Sequence, residues 1–205
     1  ATRLRKHGLK CQGVQVTIKD PKFKSISRQK KLLIATHLSK EISDIAIENI
    51  SDYLKRPGYF VWVALHDADA TELAQMQDEF SLHALAVEDA SHGHQRPKIE
   101  EYGTCLFAVV HIVEWVDGHL HVGEINIFVE KDYVLSIRNR SAKNLLSVRA
   151  RCENEPHLLK QGPAFVFYAL MDAVVDRYFP IVDALESELE AIEESLASLE
   201  AMRGI

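Results

Sequence analysis

Cysteine is scarce in this chain. The three present among 205 residues, Cys11, Cys105 and Cys152, are odd in number and too far apart for a C-x-x-C pair, so neither a disulfide framework nor a Cys-rich zinc knuckle is expected, and a reducing cytosol is. Long apolar runs are missing too. Cys105 to Val110 and Ala164 to Met171, among the longest, fall far short of the roughly 18 residues that a membrane-crossing helix needs. The opening Ala1-Thr-Arg-Leu-Arg-Lys is not followed by an apolar core, which argues against a secretory signal, and the lack of an initial Met points to a piece of a longer protein. Reaction motifs are also absent: there is no G-x-S-x-G, Walker loop, G-x-G-x-x-G or H-E-x-x-H. An enzyme is not expected.

What is present is a globular composition, 47% hydrophobic and 26% charged, enough for one domain or a domain with an appendage. The net charge of −6 hides an asymmetry: residues 1–40 carry eleven Lys or Arg against the single acid Asp20, a net of +10, so the remainder carries −16. Such an arm suits polyanions, but Phe23 is its only aromatic and it shows no nucleic-acid motif, so no nucleic-acid partner is expected. The acidic remainder suits divalent cations.

Val14, Val16 and Ile18 alternate with polar residues up to Asp20-Pro21, the pattern of a short strand. Residues 32–54 fit a helix or a strand. Tyr59 to Leu65 reads as a buried central strand, and Asp67 to Thr71 supplies cap chemistry for a helix to Phe80, followed by a second short helix from His83 to Ala90. Cys105–Trp115, Val122–Glu130 and Tyr133–Arg138 read as an antiparallel meander with turns at Asp117-Gly118 and Lys131-Asp132. Ser141 to Cys152 suits an amphipathic helix, and after Gly162-Pro163 a single long helix is predicted to the end, kinked at most by Pro180. Its apolar positions Tyr178, Val182, Leu185, Leu189, Ile192, Leu196 and Leu199 alternate in steps of four and three, a coiled-coil seam that needs a partner. At about 100° per residue, Asp172, Asp176, Asp183, Glu190 and Glu194 form a carboxylate stripe opposite that seam.

Two constellations offer chemistry. Glu88 and Asp89 are adjacent carboxylates near the C-terminal, negative end of a short helix; their repulsion calls for a basic neighbour, protonation or a hard cation such as Mg²⁺. His92-Gly-His94 and His119-Leu-His121 are H-x-H pairs able to hold Zn²⁺, Co²⁺ or Ni²⁺, although both fall in predicted loops or turns without a third ligand at diagnostic spacing.

Three strings, Leu82-His-Ala-Leu-Ala-Val-Glu-Asp89, Gln95-Arg-Pro-Lys-Ile-Glu-Glu-Tyr102 and Phe167-Tyr-Ala-Leu-Met-Asp-Ala-Val-Val-Asp-Arg-Tyr-Phe179, resemble in order and spacing the cytoplasmic domain of the CorA-type magnesium and cobalt transporters, from about Ile45 onward. The resemblance implies an α/β fold, an α/β/α sandwich with a mixed, mostly antiparallel sheet followed by the start of a long stalk helix. It divides the chain into a basic segment of unknown role (1–40), a sensor domain (41–163) and the first part of the stalk (164–205). It further implies a homopentameric divalent-cation channel in the inner (plasma) membrane, with this segment on the cytoplasmic side and the two transmembrane helices and Gly-Met-Asn loop absent from it. The family's regulatory Mg²⁺ sites between protomers map onto Glu88, Asp89 and Asp172, so the implied role is Mg²⁺ sensing and gating. Ala84 stands where the family often has Pro, a change that a helix start tolerates. A ZntB-like zinc transporter and, in a different class, a soluble metal-dependent hydrolase built on the histidine pairs and Glu88 remain alternatives.

Overall fold

In the computed structural model, residues 11–19, 25–36, 50–51, 53–54, 56–116, 119–141 and 145–203 are described. The alternating segment at the start forms β1 (Cys11–Lys19), paired antiparallel with β2 (Ser25–Thr36) in a two-stranded sheet. The remaining strands make one five-stranded sheet: β3 (Val61–His66), β4 (Lys98–Tyr102), β5 (Cys105–Val116), β6 (His119–Glu130) and β7 (Tyr133–Asn139), in the order β3-β7-β6-β5-β4. The meander β4 to β7 is antiparallel, and β3 lies parallel to β7. The sheet is therefore mixed and mostly antiparallel, as expected.

One correction concerns β3. Its run of aromatic and β-branched residues reads as a central strand, yet it takes an edge of the sheet and is only half-buried. The strands buried on both faces are β6, from Gly123 to Phe128, and β7, from Tyr133 to Ile137. Period-two alternation sends their side chains to two separate cores. Phe107, Val109, Phe128, Leu135 and Ile137 meet Leu73, Met76 and Phe80 of α1 (Ala70–Phe80) and Ala86 and Ala90 of α2 (Ala84–His92). On the opposite face Ile112, Ile125, Ile127 and Val134 meet Val148 and Cys152 of α3 (Leu146–Asn154), together with Phe165, Val166, Ala169, Leu170 and Val174 of α5 (Pro163–Val175). A single turn, α4 (Pro156–Leu159), links those two helices. The result is an α/β/α sandwich.

Local chemistry fixes the helix starts. Asp69 accepts from the Thr71 and Glu72 amides at 2.8 and 2.9 Å while Glu72 reaches back to the Asp69 amide, a reciprocal capping box that starts α1. The His83 ring accepts from the Leu85 amide to open α2.

The predicted single helix after Pro163 is in fact two. Residues 176–178 form turns, and α6 (Phe179–Arg203) begins only afterwards. Pro180 has no amide proton and would clash with the carbonyl four residues back, so the chain tightens here through Arg177 and Tyr178 amides donating to Val174 and Val175 carbonyls. The Tyr178 hydroxyl donates to the His111 carbonyl of β5, which pins the joint to the sheet. Asp172 thus stands before the break, Asp176 at its first residue and Asp183, Glu190 and Glu194 after it, not on one straight stripe. The seam residues Val182, Leu185, Leu189, Ile192, Leu196 and Leu199 are all exposed. Among the described residues no helix is long and apolar enough to cross a membrane.

Gly123 shows how closely β6 meets its neighbours. A Cβ there would sit 2.9 Å from the carbonyl oxygens of both Asn139 and Arg140, backbone atoms that cannot step aside. Gly123→Ala is expected to cost about 1–3 kcal/mol by overpacking, measured as a lower urea midpoint at unchanged slope.

Candidate metal centre

Glu88 and Asp89 lie where α2 approaches its C-terminal end, as expected from the sequence. The Glu88 carboxylate is exposed and has no hydrogen-bond or ion-pair partner among the described residues; its backbone carbonyl accepts from Ser91 Oγ at 2.7 Å and from the Nδ1 of His92 at 2.9 Å. Asp89 differs. Its Oδ2 lies 2.8 Å from the Nζ of Lys98 on the edge strand β4, and the same ammonium lies 2.8 Å from Glu100 Oε2. The hydrogen bond to Asp89, then that to Glu100, holds the Lys98 ammonium well above the usual lysine range. Glu100 also accepts from the Tyr102 hydroxyl, and the Tyr102 ring stacks at 4.4 Å on His83, the residue that caps α2. One end of α2 is thereby tied to β4 through charge and the other through ring stacking.

Asp172 sits on α5 and contacts the Arg151 guanidinium of α3, with the Tyr168 hydroxyl 3.4 Å from its other oxygen. That contact with Asp172 is the main cause of an Arg151 pKa above the ordinary arginine value. Arg151 also reaches Glu155 at 3.3 Å. So two of the three expected ligands carry a basic partner, and the third has none among the described residues.

These acids do not meet within one chain. Helix α2 covers one face of the sheet and α5 the other, and among the described residues no group of three His, Cys, Asp or Glu is placed to hold a metal. Carboxylate oxygens suit a hard divalent cation, but a single copy offers only the adjacent Glu88 and Asp89 at one place. A site that also uses Asp172 requires a second copy.

The histidine pairs are placed differently from expectation. His119 and His121 lie within β6 instead of a turn, facing Val116 and Glu114 across the ladder, and His92 ends α2. The His94 ring lies against the Arg140 guanidinium, a cation that opposes a metal there.

Sequence reasoning missed the basic partners Lys98 and Arg151, and also a buried polar knot beside α2. Glu124, fully buried on β6, faces the amides of Asn126 and Asn139 at 3.3 and 3.5 Å and the Arg140 guanidinium at 3.4 Å; Asn139 in turn donates to the Ala90 carbonyl of α2. Gly93, at φ +64°, lets the chain leave α2 against this knot, since a Cβ there would be 3.2 Å from Glu124 Oε1. The available signal was Glu124 and Asn126 inside the otherwise apolar stretch from Gly123 to Phe128.

The α/β/α domain carries the exposed Glu88 carboxylate on α2 and leads through a joint anchored on β5 into a long helix with an exposed apolar seam. The chain belongs to the CorA-like Mg²⁺ transporter protein family, whose model matches residues 57–204. YfjQ of Bacillus subtilis, whose naming as a metal ion transporter is itself provisional, is 36% identical over 134 residues, 65% of this chain and 41% of that protein. The cobalt/magnesium transport protein CorA of Thermotoga maritima is 29% identical over 140 residues, 66% of this chain and 40% of that protein. The chain thus spans about two fifths of the length of these relatives. The solved soluble domain of CorA from Methanocaldococcus jannaschii shares the fold, with a TM-score of 0.55 at 14% identity, covering 90% of this chain and 65% of that one. The family is one of transporters, not enzymes.

A second similarity covers the other end. Residues 1–77 match the model of the impB/mucB/samB family C-terminal domain, overlapping the first match at 57–77. The DNA polymerase IV of Acetivibrio thermocellus is 29% identical over 106 residues, 49% of this chain and 27% of that protein. This supplies for the basic segment the resemblance that its sequence did not reveal on inspection.

Proposed function

We propose that residues 57–204 form the cytoplasmic, Mg²⁺-sensing and gating domain of a CorA-like magnesium/cobalt channel of the inner membrane, assembled as a homopentamer. The observation that carries this reading is the placement of the free Glu88 carboxylate and Asp89 on one face and Asp172 on the other, in a chain of this family. Neighbouring copies then present α2 of one to α5 of the next, and the seam of α6 gives them a shared axis. Glu88 and Asp89 of one copy and Asp172 of its neighbour would hold the cation, which supplies positive charge between otherwise repelling carboxylates. Without it, the bridge between copies is lost, and the coupling passes along α6.

A ligand bound only by the assembled form stabilises that form, so Mg²⁺ titration should raise Tm and slow limited proteolysis of the purified protein. Asp89→Asn and Asp172→Asn should each remove most of that response without unfolding the domain. A Mg²⁺ response identical to that of the wild type in both variants would exclude these residues from the site.

A second reading concerns the basic end alone and rests on its match to the polymerase-type domain. We infer that residues 1–40, at +10, bind the phosphate backbone of DNA, with Arg28, Lys30 and Lys31 of β2 at adjoining register positions opposite Val16, Val14 and Gly13. Fluorescence anisotropy with a labelled duplex should show affinity that falls steeply with salt. The triple change of Arg28, Lys30 and Lys31 to Glu should abolish it, and binding indifferent to both would refute the reading.

A further inference from the structure

The basic groups that hold Asp89 and Asp172 are placed where a divalent cation would have to enter. We propose that Lys98 is the built-in competitor for Asp89: it occupies the carboxylate when the divalent ion is absent and withdraws onto Glu100 when the ion binds. This rests on the reading of Asp89 as a metal ligand and adds what sets the affinity of that site.

Three features of the chain support it. Lys98 Nζ is equidistant, at 2.8 Å, from Asp89 on α2 and Glu100 on its own strand, so it can give up one carboxylate without becoming an unpaired charge. Glu100 is fixed as a receiver by the Tyr102 hydroxyl at 2.9 Å, and Tyr102 is itself stacked on His83. Glu88, next to Asp89, has no such partner among the described residues, so the pair keeps an exposed carboxylate for first contact with an incoming ion. A lysine is suited to the task because its ammonium is a compact point charge on a flexible stem, free to swing between two acceptors. Arg151 repeats the arrangement on the other face, shared between Asp172 and Glu155.

The consequence is that divalent binding is an exchange and not a simple addition. Each ion must displace an ammonium from Asp89, which weakens the apparent affinity relative to a bare carboxylate pair. The two halves of the switch then predict opposite effects. Removing the competitor, in Lys98→Gln or Lys98→Met, should lower the Mg²⁺ concentration for half-maximal thermal stabilisation by about fivefold, the scale of a partly exposed ion pair. Removing the receiver, in Glu100→Gln, leaves Lys98 with Asp89 alone and should raise that midpoint. Lys98→Arg keeps the charge and should stay near wild type.

The experiment is a Mg²⁺ titration of Tm in the purified protein for these variants beside Asp89→Asn, with circular dichroism in the absence of Mg²⁺ to establish that each is folded. Using both Lys98→Gln and Lys98→Met guards against one substitution failing to fold. A lowered midpoint for the Lys98 variants with a raised one for Glu100→Gln supports the exchange, because a merely structural role would move both in the same direction. If Asp89→Asn abolishes the Mg²⁺ response while the Lys98 variants leave the midpoint unmoved or raise it, Lys98 is no competitor and the reading of Asp89 stands. If Asp89→Asn leaves the response intact, the reading of Asp89 fails, and the competitor role fails with it.

Discussion

Arg140→Met is expected to destabilise the domain by about 3–5 kcal/mol, because it strands a carboxylate in a place that water does not reach. Glu124 is fully buried, and among the described residues the only cation facing it is the Arg140 guanidinium at 3.4 Å; without that, the hydrogen-bond partners described for its side chain are the amides of Asn126 and Asn139. A thermal melt should record a fall of roughly 10 °C in a domain of this size. The decisive comparison is the double variant Arg140→Met with Glu124→Gln, in which both charges leave together and most of the loss should return. Failure of the double variant to recover would mean that Arg140 acts through its stem and its contact with His94, and not through charge.

Phe128→Ala should be about as damaging, at about 3–5 kcal/mol, for an unrelated reason. Phe128 is 1% exposed on β6, with its ring centroid 4.7 Å from that of Phe107 on β5, and its cluster lies under both α1 and α2. Truncation leaves a cavity that β6, held by ladders on both sides, cannot close. Trp115→Ala gives the contrast: Trp115 is 45% exposed, and its loss should change stability by no more than about 0.5 kcal/mol. Equal effects from the two substitutions in urea melts would contradict this account of the core.

Elements with strong local signals were legible in the sequence. Asp69 and Glu72 fix α1 by reciprocal capping, and the meander from β5 to β7 follows from apolar runs punctuated by turns. The position of β3 was not legible, since its aromatic and β-branched composition does not say which strand will lie beside it; its parallel partner β7 lies 67 or more residues further along the chain. The break before Pro180 was half visible. Proline announces an interruption, whereas the Tyr178 anchor on the His111 carbonyl joins residues 67 positions apart and leaves no local trace.

The candidate site divides in the same way. Glu88 and Asp89 stand out as adjacent acids, but Lys98 belongs to another element, and its bond to Asp89 depends on β4 taking the edge nearest the end of α2. Asp172 was singled out by resemblance, and nothing in its own neighbourhood announces Arg151, 21 residues earlier. The basic segment was read by its charge and one alternating strand, without a resemblance. A similarity spread thinly over 77 residues escapes inspection when no short motif concentrates it.

The tethered turn at residues 176–178 gives the last helix a fulcrum. Helix α6 has 25 residues and so extends roughly 37 Å beyond it, with its base fixed to β5 and its far end projecting away. A tilt of about 5° at that base carries the tip through about 3 Å. A small change of angle at this joint thus reaches the distant end as lever travel, magnified by length.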